Sequence, residues 1–415
     1  MPVAKSEKLP PILSFSASQR QLLQLIERCA AASADKILIT TIVSDATQVA
    51  GELFFIAAGH PVSVVTSAWT SDEHGSLLIH RAGQCVINLK DLRNIVAAMP
   101  NDMLDITCGH DRRFVVEAAG HADKPKRRTF TVYALDPENY PQVARMPESA
   151  KRVISGKAIR EAIERVRYGA KDYNAKDTAM DACSGVMFEF SKGRLEAVAT
   201  NGRALAVHRV EAVVADPPEQ LLIPGPLLSL VCSLCEEDRV HLAQDEQRVY
   251  IMSTHTTATC LKNVGAFPLW RTVVTALLSN AVKMCDLDGL QLAEAARALS
   301  TVWKLSYISP DSDKDNRNKG APVKLELKDH KLRISTSFNP MGSQLAGSEE
   351  EIEVSNPEHR TLMRVVESSL LIPGAMGVQG TSSLRSDPND EVGPVILESA
   401  DGSFVAVTMP KRADV

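Results

Sequence analysis

Two hydrophobic periods alternate along the chain, and the points where one gives way to the other outline its elements. From Ser155, the residues Ile159, Ile163 and Val166 recur at helical spacing among polar neighbours, which predicts an amphipathic helix. SASQRQLLQLIERC from Ser16 and DLDGLQLAEAARALSTVW from Asp286 predict two more of the same class. Between them the period drops to two. GVMFEFSKGRLEAVAT from Gly185 and APVKLELKDHKLRISTS from Ala321 alternate apolar and polar residues around a Gly or Asp-His break, the pattern of β-hairpins.

A second helix class is read from Leu92-Arg93-Asn94-Ile95-Val96, Leu227-Leu228-Ser229-Leu230-Val231 and Leu362-Met363-Arg364-Val365-Val366, set 227 − 92 = 135 and 362 − 227 = 135 residues apart. Each follows an extended apolar stretch and a short break (INLKD, IPGP, VSNPEH), and Asn or Pro before an apolar run is a helix-start signal. Each unit closes on Tyr140-Pro141, Phe267-Pro268 or Met409-Pro410. The expectation is an α+β fold of three tandem copies, each with two helices packed on about eight short antiparallel strands. The copies span 12–147, 148–279 and 280–415, after a tail at 1–11.

Composition narrows the class. At 415 residues the chain exceeds one ordinary core, and 44% hydrophobic with 23% charged residues suits a globular protein. No apolar run reaches the roughly 18 residues that span a bilayer, and MPVAKSEKLPP has no apolar signal core, so a cytoplasmic protein is expected. Eight scattered cysteines form no disulfide framework and fit a reducing compartment. The net charge of -5 means that binding of nucleic acid would require basic residues gathered on one surface.

The succession of helices and hairpins in three copies resembles the bacterial DNA polymerase III beta subunit, the beta sliding clamp family. Ala199-Thr200-Asn201-Gly202-Arg203-Ala204-Leu205-Ala206 is similar to that family's A-T-D-G-H-R-L-A. Phe267-Pro268-Leu269-Trp270-Arg271-Thr272-Val273-Val274 is similar to F-P-D-Y-R-R-V-L. Val405-Ala406-Val407-Thr408-Met409-Pro410-Lys411-Arg412 resembles the closing V-V-M-P-M-R-L, and the stretch from Asp181 to Phe188 sits at an L-N-G-hydrophobic element. The resemblance runs from about residue 12 to 412 and implies a homodimer joined head to tail into a ring around duplex DNA. Such a ring reads phosphates rather than bases, because phosphate contacts carry no sequence information.

The ring implies a basic helical face. Arg160, Arg167 and Lys171 fall within about 20° on a helix, with Lys157 nearby and Glu164 interrupting. Arg20 and Arg28, Lys90 and Arg93, and Arg360 and Arg364 are placed by the repeat on equivalent helices, whereas PGPLLSLVCSLCEED contributes no positive charge. A solvated helix face is the plainer reading of any one such run. Lys124-Pro125-Lys126-Arg127-Arg128 reads as a charged hairpin tip.

The family binds polymerase and clamp loader through a short peptide, with a Gln anchor and Leu/Phe side chains, in an apolar cleft. Carried over, the cleft comprises Thr200, Gly202, Arg203, Leu205, Pro268, Thr272, Val273, Val407, Met409 and Pro410, although Leu205 or Val407 alone reads as core. Arg203-Ala204 stands for His-Arg, Thr272 for the second Arg, and Lys411 and Ala413 for the last Met and Leu, which points to altered peptide specificity. The resemblance also implies a dimer interface, with Phe130 and Val132 facing Val302 and Trp303.

Catalysis finds little support. No G-x-x-x-x-G-K loop occurs, and Gly374, Gly377 and Gly380 lack a phosphate-contacting Lys. Cys232 and Cys235 form a lone C-x-x-C in an apolar helix, without the second pair that zinc would need. His255 with Cys260, and Asp181 with His208, are not held together by spacing, and Asp286 and Asp288 suit a helix N-terminus better than a metal. No catalytic residue, cofactor or metal is expected. The alternative is a clamp-like scaffold that binds replication proteins without encircling DNA; a nuclease on a repeat scaffold lacks a carboxylate cluster. Asp311–Gly320 and Gly374–Pro394 read as long loops.

Overall fold

The computed structural model describes residues 10–32, 34–43, 51–70, 77–100, 102–118, 128–147, 152–173, 181–191, 193–211, 220–234, 239–306, 320–338 and 346–411. One order of elements recurs three times. The first run is β1 (Leu13–Ser18), α1 (Gln19–Ala30), β2 (Lys36–Val43), β3 (Gly51–Ala58), β4 (Val62–Trp69), β5 (Leu77–Arg81), β6 (Gly83–Asn88), α2 (Leu89–Ala98), β7 (Met103–Cys108), β8 (Arg113–Ala118) and β9 (Arg128–Tyr133). The second is β10 (Arg152–Ser155), α3 (Gly156–Val166), β11 (Val186–Ser191), β12 (Arg194–Thr200), β13 (Ala204–Glu211), β14 (Gln220–Ile223), α4 (Gly225–Leu234), β15 (Arg239–Gln244), β16 (Arg248–Met252) and β17 (Thr256–Leu261). An additional helix, α5 (Trp270–Asn280), precedes the third run. That run is β18 (Val282–Asp288), α6 (Gly289–Ser306), β19 (Pro322–Lys328), β20 (Lys331–Phe338), β21 (Ala346–Glu353), β22 (Leu362–Glu367), α7 (Ser368–Gly377), β23 (Thr381–Ser386), β24 (Val395–Ser399) and β25 (Phe404–Thr408).

The strands join across the repeats instead of closing within them. One eight-stranded sheet runs β10-β15-β16-β17-β4-β3-β2-β6, and another runs β14-β11-β12-β13-β25-β24-β23-β18. At each junction the third strand after a repeat's first helix pairs antiparallel with the last strand of the next repeat. Val62 to Thr66 pair with Cys260 to Thr256, and Ala204 to His208 pair with Thr408 to Phe404. Compactness therefore divides the chain into two units, 1–156 with 229–261 and 157–228 with 262–415, and not at 147 and 279. The first unit also holds the sheet β5-β1-β7-β8-β9, and the second holds β21-β20-β19-β22. By the same rule β21 and β9 are counterparts of paired strands, and each ends its sheet.

Local chemistry sets the helix starts. The Ser18 hydroxyl accepts from the Gln21 N–H, and the Asn88 amide oxygen accepts from the Asp91 N–H at 3.0 Å, each satisfying a free first-turn donor. In the first unit α1 buries Leu22, Leu25, Ile26 and Cys29 beside Leu89, Leu92, Ile95 and Val96 of α2. In the second unit α5 lays Trp270 and Val274 on Val198, Leu205, Val207, Ile396, Val405 and Val407 from β12, β13, β24 and β25.

Two expectations need correction. Leu362–Val366 lies in strand β22, and the second helix of the third repeat is α7. Helix starts then fall 225 − 89 = 136 and 368 − 225 = 143 residues apart. Buried Leu362, Arg364 and Val366 alternate with more exposed Met363 and Val365, and β19 pairs along the strand, so period two prevails. Gly374–Pro394 is also no long loop: it holds the end of α7, β23 and a tight turn. Of Asp311–Gly320, all but Gly320 lies outside the described residues.

Candidate functional site

The β12–β13 turn sets one wall of the expected cleft. Gly202 takes a positive φ of 81°, a region costly for a side chain, so the chain reverses within Asn201-Gly202-Arg203. The Asn201 amide oxygen accepts from the Arg203 and Ala204 N–H groups, and the Thr200 hydroxyl donates to the Ala204 carbonyl at 2.8 Å. Leu205 then lies directly opposite Val407, and both are buried together with Thr200. Val273 and Met409 are 45% and 41% exposed, with Pro268 and Thr272 also exposed and Pro410 half-buried. Leu269 is 80% exposed at the start of α5. Leu205, Val407, Val273 and Met409 all belong to the second unit, the first two buried and the last two exposed.

Arg203 is anchored by an ion pair to Glu367, which also accepts from the Ser369 hydroxyl and the Gly320 N–H. Burial opposes ionisation of Glu367, but these bonds hold its carboxyl below the usual carboxylate range.

One element went unread in the sequence. Glu189 and Glu196 face each other across β11 and β12, and both are largely buried. Arg271 donates to Glu189 from Nε at 2.8 Å and also contacts Glu196, while its guanidinium lies 4.5 Å from the centre of the Trp270 ring. The Trp270 Nε1–H and the Gln220 amide donate to Glu189 at 2.9 and 3.0 Å, and the Arg209 Nε–H donates to Glu196 at 2.9 Å. This network fastens the first turn of α5 to the sheet that carries Leu205 and Val407. Paired Glu residues in a strand beside apolar neighbours (MFEF, RLEAV) are the signal that could have revealed it.

The expected basic residues divide into three groups. Arg20, Lys90, Lys157 and Arg167 are exposed on α1, α2, α3 and the turn after α3. Arg93 is paired with Glu27 at 2.7 Å, Arg160 with Glu164 at 3.0 Å and Lys171 with Asp181 at 3.1 Å, while Arg28 donates to the Thr256 hydroxyl. Arg360 and Arg364 are corrections, because neither is on a helix. Arg364 is 7% exposed on β22 and donates to the carbonyls of Met363, Asp387, Asp390 and Gly393, which pins the turn between β23 and β24. Arg360 precedes β22, pairs with Glu358 and donates to the Lys283 carbonyl. The helix that takes their place, SSLLIPGAMG, carries no charge at all, and neither does α4.

At the expected interface Phe130 is 36% exposed and Val132 half-buried on β9, and Val302 is 38% exposed on α6. Trp303 is buried. Of the basic tip, Arg128 opens β9 and Lys124–Arg127 lie outside the described residues.

No group of three or more His, Cys, Asp or Glu that could hold a metal occurs among the described residues. Cys235 lies outside them. Burial pushes the Cys260 thiol up to about 12, away from nucleophile or ligand chemistry. Asp181 bonds the Cys183 N–H and Lys171, while His208 bonds the Ser403 carbonyl and faces Glu161. The Asp288 carboxylate accepts from the first N–H groups of α6, as expected. At Gly377 an added Cβ would meet the Phe404 ring at 2.4 Å, so this glycine serves close helix–sheet packing.

No family model matches the chain. It is 24% identical over 334 residues to the beta sliding clamp of Pseudomonas aeruginosa, covering 80% of this chain and 82% of that protein. The beta sliding clamp of Pseudomonas putida is 24% identical over 333 residues, covering 79% and 82%. A crystal structure of the P. aeruginosa protein superposes with a TM-score of 0.75 at 20% identity, over 97% of this chain and 100% of that one. The DNA polymerase sliding clamp of Bacillus subtilis gives 0.77 at 14%, over 97% and 99%.

Proposed function

We propose that this chain, a divergent member of the bacterial DNA polymerase III beta subunit (sliding clamp) family, is a non-catalytic processivity factor that encircles duplex DNA and tethers a polymerase. The observation that carries this reading is the strand arithmetic of the repeat. Third strands β4 and β13 pair with last strands β17 and β25, which leaves third strand β21 and last strand β9 as the matching open edges among the described residues. A second copy satisfies both, β21 of each protomer pairing with β9 of the other, and two such junctions close a ring of six repeats. The edges suit that role. Ala258 and Cys260 on β17 and Val405 and Val407 on β25 are buried, whereas Phe130 and Tyr133 on β9 are 36% and 72% exposed. An open edge with exposed aromatics is an aggregation hazard that pairing removes. Charge agrees: β21 exposes Glu349, Glu350, Glu351 and Glu353, and β9 opens with Arg128 after Lys124, Lys126 and Arg127. The three domains at 12–147, 148–279 and 280–415 belong to this proposal as repeats of descent, not as compact bodies.

Within the ring, Arg20, Lys90, Lys157 and Arg167 supply phosphate contacts without reading bases, and enclosure supplies retention. The cleft formed by Thr200, Gly202, Arg203, Leu205, Pro268, Thr272, Val273, Val407, Met409 and Pro410 receives the short apolar segment of a polymerase or loader. A scaffold that does not encircle DNA is favoured by one observation, the absence of charge on α4 and α7. The deciding measurement is retention on circular against linearised DNA, with the solution mass. Dimers held on circles and lost from free ends support the clamp; monomers, or equal loss from both templates, replace it with the scaffold.

A further inference from the structure

Two cysteines of the first unit meet across its two sheets. Cys85 lies on β6, which ends the eight-stranded sheet, and Cys108 closes β7 in the five-stranded one. Two short segments draw these strand ends together. The Ile12 N–H donates to the Cys108 carbonyl at 2.8 Å, and the Ile12 carbonyl sits so near Gly83 that a Cβ there would lie 1.9 Å from it. Likewise the Ala134 N–H donates to the Arg112 carbonyl at 2.8 Å, and Leu135 and Val86 exchange hydrogen bonds at 2.7 and 3.4 Å. Held by these anchors, both cysteines are buried, and the Cys85 thiol is hydrogen-bonded to the Cys108 sulfur. The Cys108 thiol in turn faces the Gly109 carbonyl at 3.9 Å.

The contact makes the two sulfurs unequal. The hydrogen bond from Cys85 favours the Cys108 thiolate and, against burial and the Asp111 carboxylate but aided by the Arg112 guanidinium, holds it below the ordinary thiol range. Cys85, which gives that bond and is buried beside the charge it stabilises, is pushed well up. Burial also pushes up the thiols of Cys29, Cys183, Cys260 and Cys285. In the turn after Cys108, His110 and Asp111 are exposed, so a water-sized oxidant needs only that turn to open.

We propose that Cys108 and Cys85 form a peroxide-reactive dithiol, Cys108 attacking and Cys85 resolving, that closes to a reversible disulfide between the two sheets of the first unit. Cys108 gives up its proton and its sulfur attacks one oxygen of hydrogen peroxide. The O–O bond breaks, the sulfur becomes a sulfenic acid, and the departing hydroxide takes up the proton as water. The Cys85 sulfur then attacks the Cys108 sulfur; the S–S bond forms, the S–O bond breaks, and the hydroxyl leaves with the Cys85 proton as a second water. Two electrons pass from the thiols to the peroxide, and a dithiol reductant returns them. Hydrogen-bonded thiols already face each other, as a disulfide requires. The bond closes a loop of 108 − 85 = 23 residues that contains α2.

The test treats the native full-length chain with hydrogen peroxide, alkylates the remaining thiols after denaturation, and maps tryptic peptides by mass spectrometry. Trypsin separates Cys85, in Ala82–Lys90, from Cys108, in Asn94–Arg112. The expected result is joint loss of both alkylated peptides and their appearance as one species, two hydrogens lighter than their sum, that dithiothreitol reverses. Cys29, Cys260 and Cys285 should stay alkylatable. In Cys85→Ser the reaction should stop at a Cys108 sulfenic acid that dimedone traps, and in Cys108→Ser neither product should form. Persistence of both alkylated peptides in the wild-type chain would overturn the proposal. So would a linkage that appears only together with loss of Cys29, Cys260 and Cys285, the mark of an unfolded chain.

Discussion

Removing Arg271 should loosen α5 more than the loss of one half-exposed side chain suggests. The cost comes from what stays behind. Glu189 and Glu196 lie directly opposite each other, both under a tenth exposed, and like charges in that position repel. Orphaning a fully buried charge costs about 3–5 kcal/mol. Here Arg209 still meets Glu196, Trp270 and Gln220 still donate to Glu189, and the Arg271 side chain is 54% exposed. Solvent screening and these partners reduce the figure to roughly 2 kcal/mol. Losing the guanidinium from the face of Trp270 adds about 0.5 kcal/mol.

For a body the size of the second unit, about 2 kcal/mol corresponds to a fall of roughly 4–8 °C in the melting transition. Arg271→Ala should show that fall by scanning calorimetry, and Arg271→Lys part of it, because an ammonium cannot bridge both carboxylates with a planar fork. The decisive variant is Arg271→Ala/Glu189→Gln. Neutralising one carboxylate removes the repulsion while the amide oxygen still accepts from Trp270, so at least half the loss should return. Since α5 carries Val273 and Val274, cleft-peptide affinity should fall and recover with stability. A shift under about 1 °C for Arg271→Ala, or no recovery in the double variant, would refute the reasoning.

Four further outcomes are expected. Lys157→Ala/Arg167→Ala should lower the slope of log affinity for DNA against log salt by about 1.8 per protomer, about 3.6 for the dimer, at roughly 0.9 per phosphate contact, while Arg364→Ala should destabilise the fold and leave that slope alone. Thr131→Pro in β9 should convert a dimer to monomers in light scattering, because proline removes a donor from the edge; an unchanged mass would exclude β9 from the junction. Hydrogen bonds from the Ser399 hydroxyl, then from the Ser403 N–H and hydroxyl, lower the Asp401 carboxyl to about 2. Its contribution is present above the unfolded carboxylate range and lost as pH falls towards 2, so Asp401→Asn should narrow the stability gap to wild type on acidification; a gap constant from pH 7 to 2 would exclude this. Thiol labelling of the native chain should reach Cys183 and Cys232 before buried Cys29, Cys85, Cys260 or Cys285, and simultaneous labelling of all would contradict the packing.

What the sequence discloses depends on how local each interaction is. Amphipathic helices α1, α3 and α6 are written in their own periodicity, and Ser18 and Asp288 mark the starts of α1 and α6 by bonds a few residues away. Leu362–Val366 misleads because five residues satisfy period two and period 3.6 almost equally; only lateral pairing with β19, far off in sequence, decides. That slip carried Arg364 with it, from a helix face to a buried strand position where four carbonyls consume its donors. The pairing of Leu205 with Val407 is invisible to local pattern, since the two meet across strands some two hundred residues apart. Arg271, Glu189 and Glu196 were each visible, but nothing local ties a helix N-terminus to two strands about 80 residues earlier.

The same distinction bears on assembly. A repeat that closed its sheets internally would leave its ends polar and paired, and three such repeats could stand alone. Here the first two repeats each lend their third strand to the next, and among the described residues β21 and β9 each have a partner on one side alone. Hydrogen-bond donors and acceptors on β9 and β21 then remain for water or for another copy, and exposed Phe130 and Tyr133 make water the poorer choice. Joining two copies repeats at the ends the pairing already made twice inside each chain. In the proposed ring, closure rests on this rule of connection more than on any single residue. It should therefore survive substitution of individual interface side chains and fail when the β9 backbone itself can no longer pair.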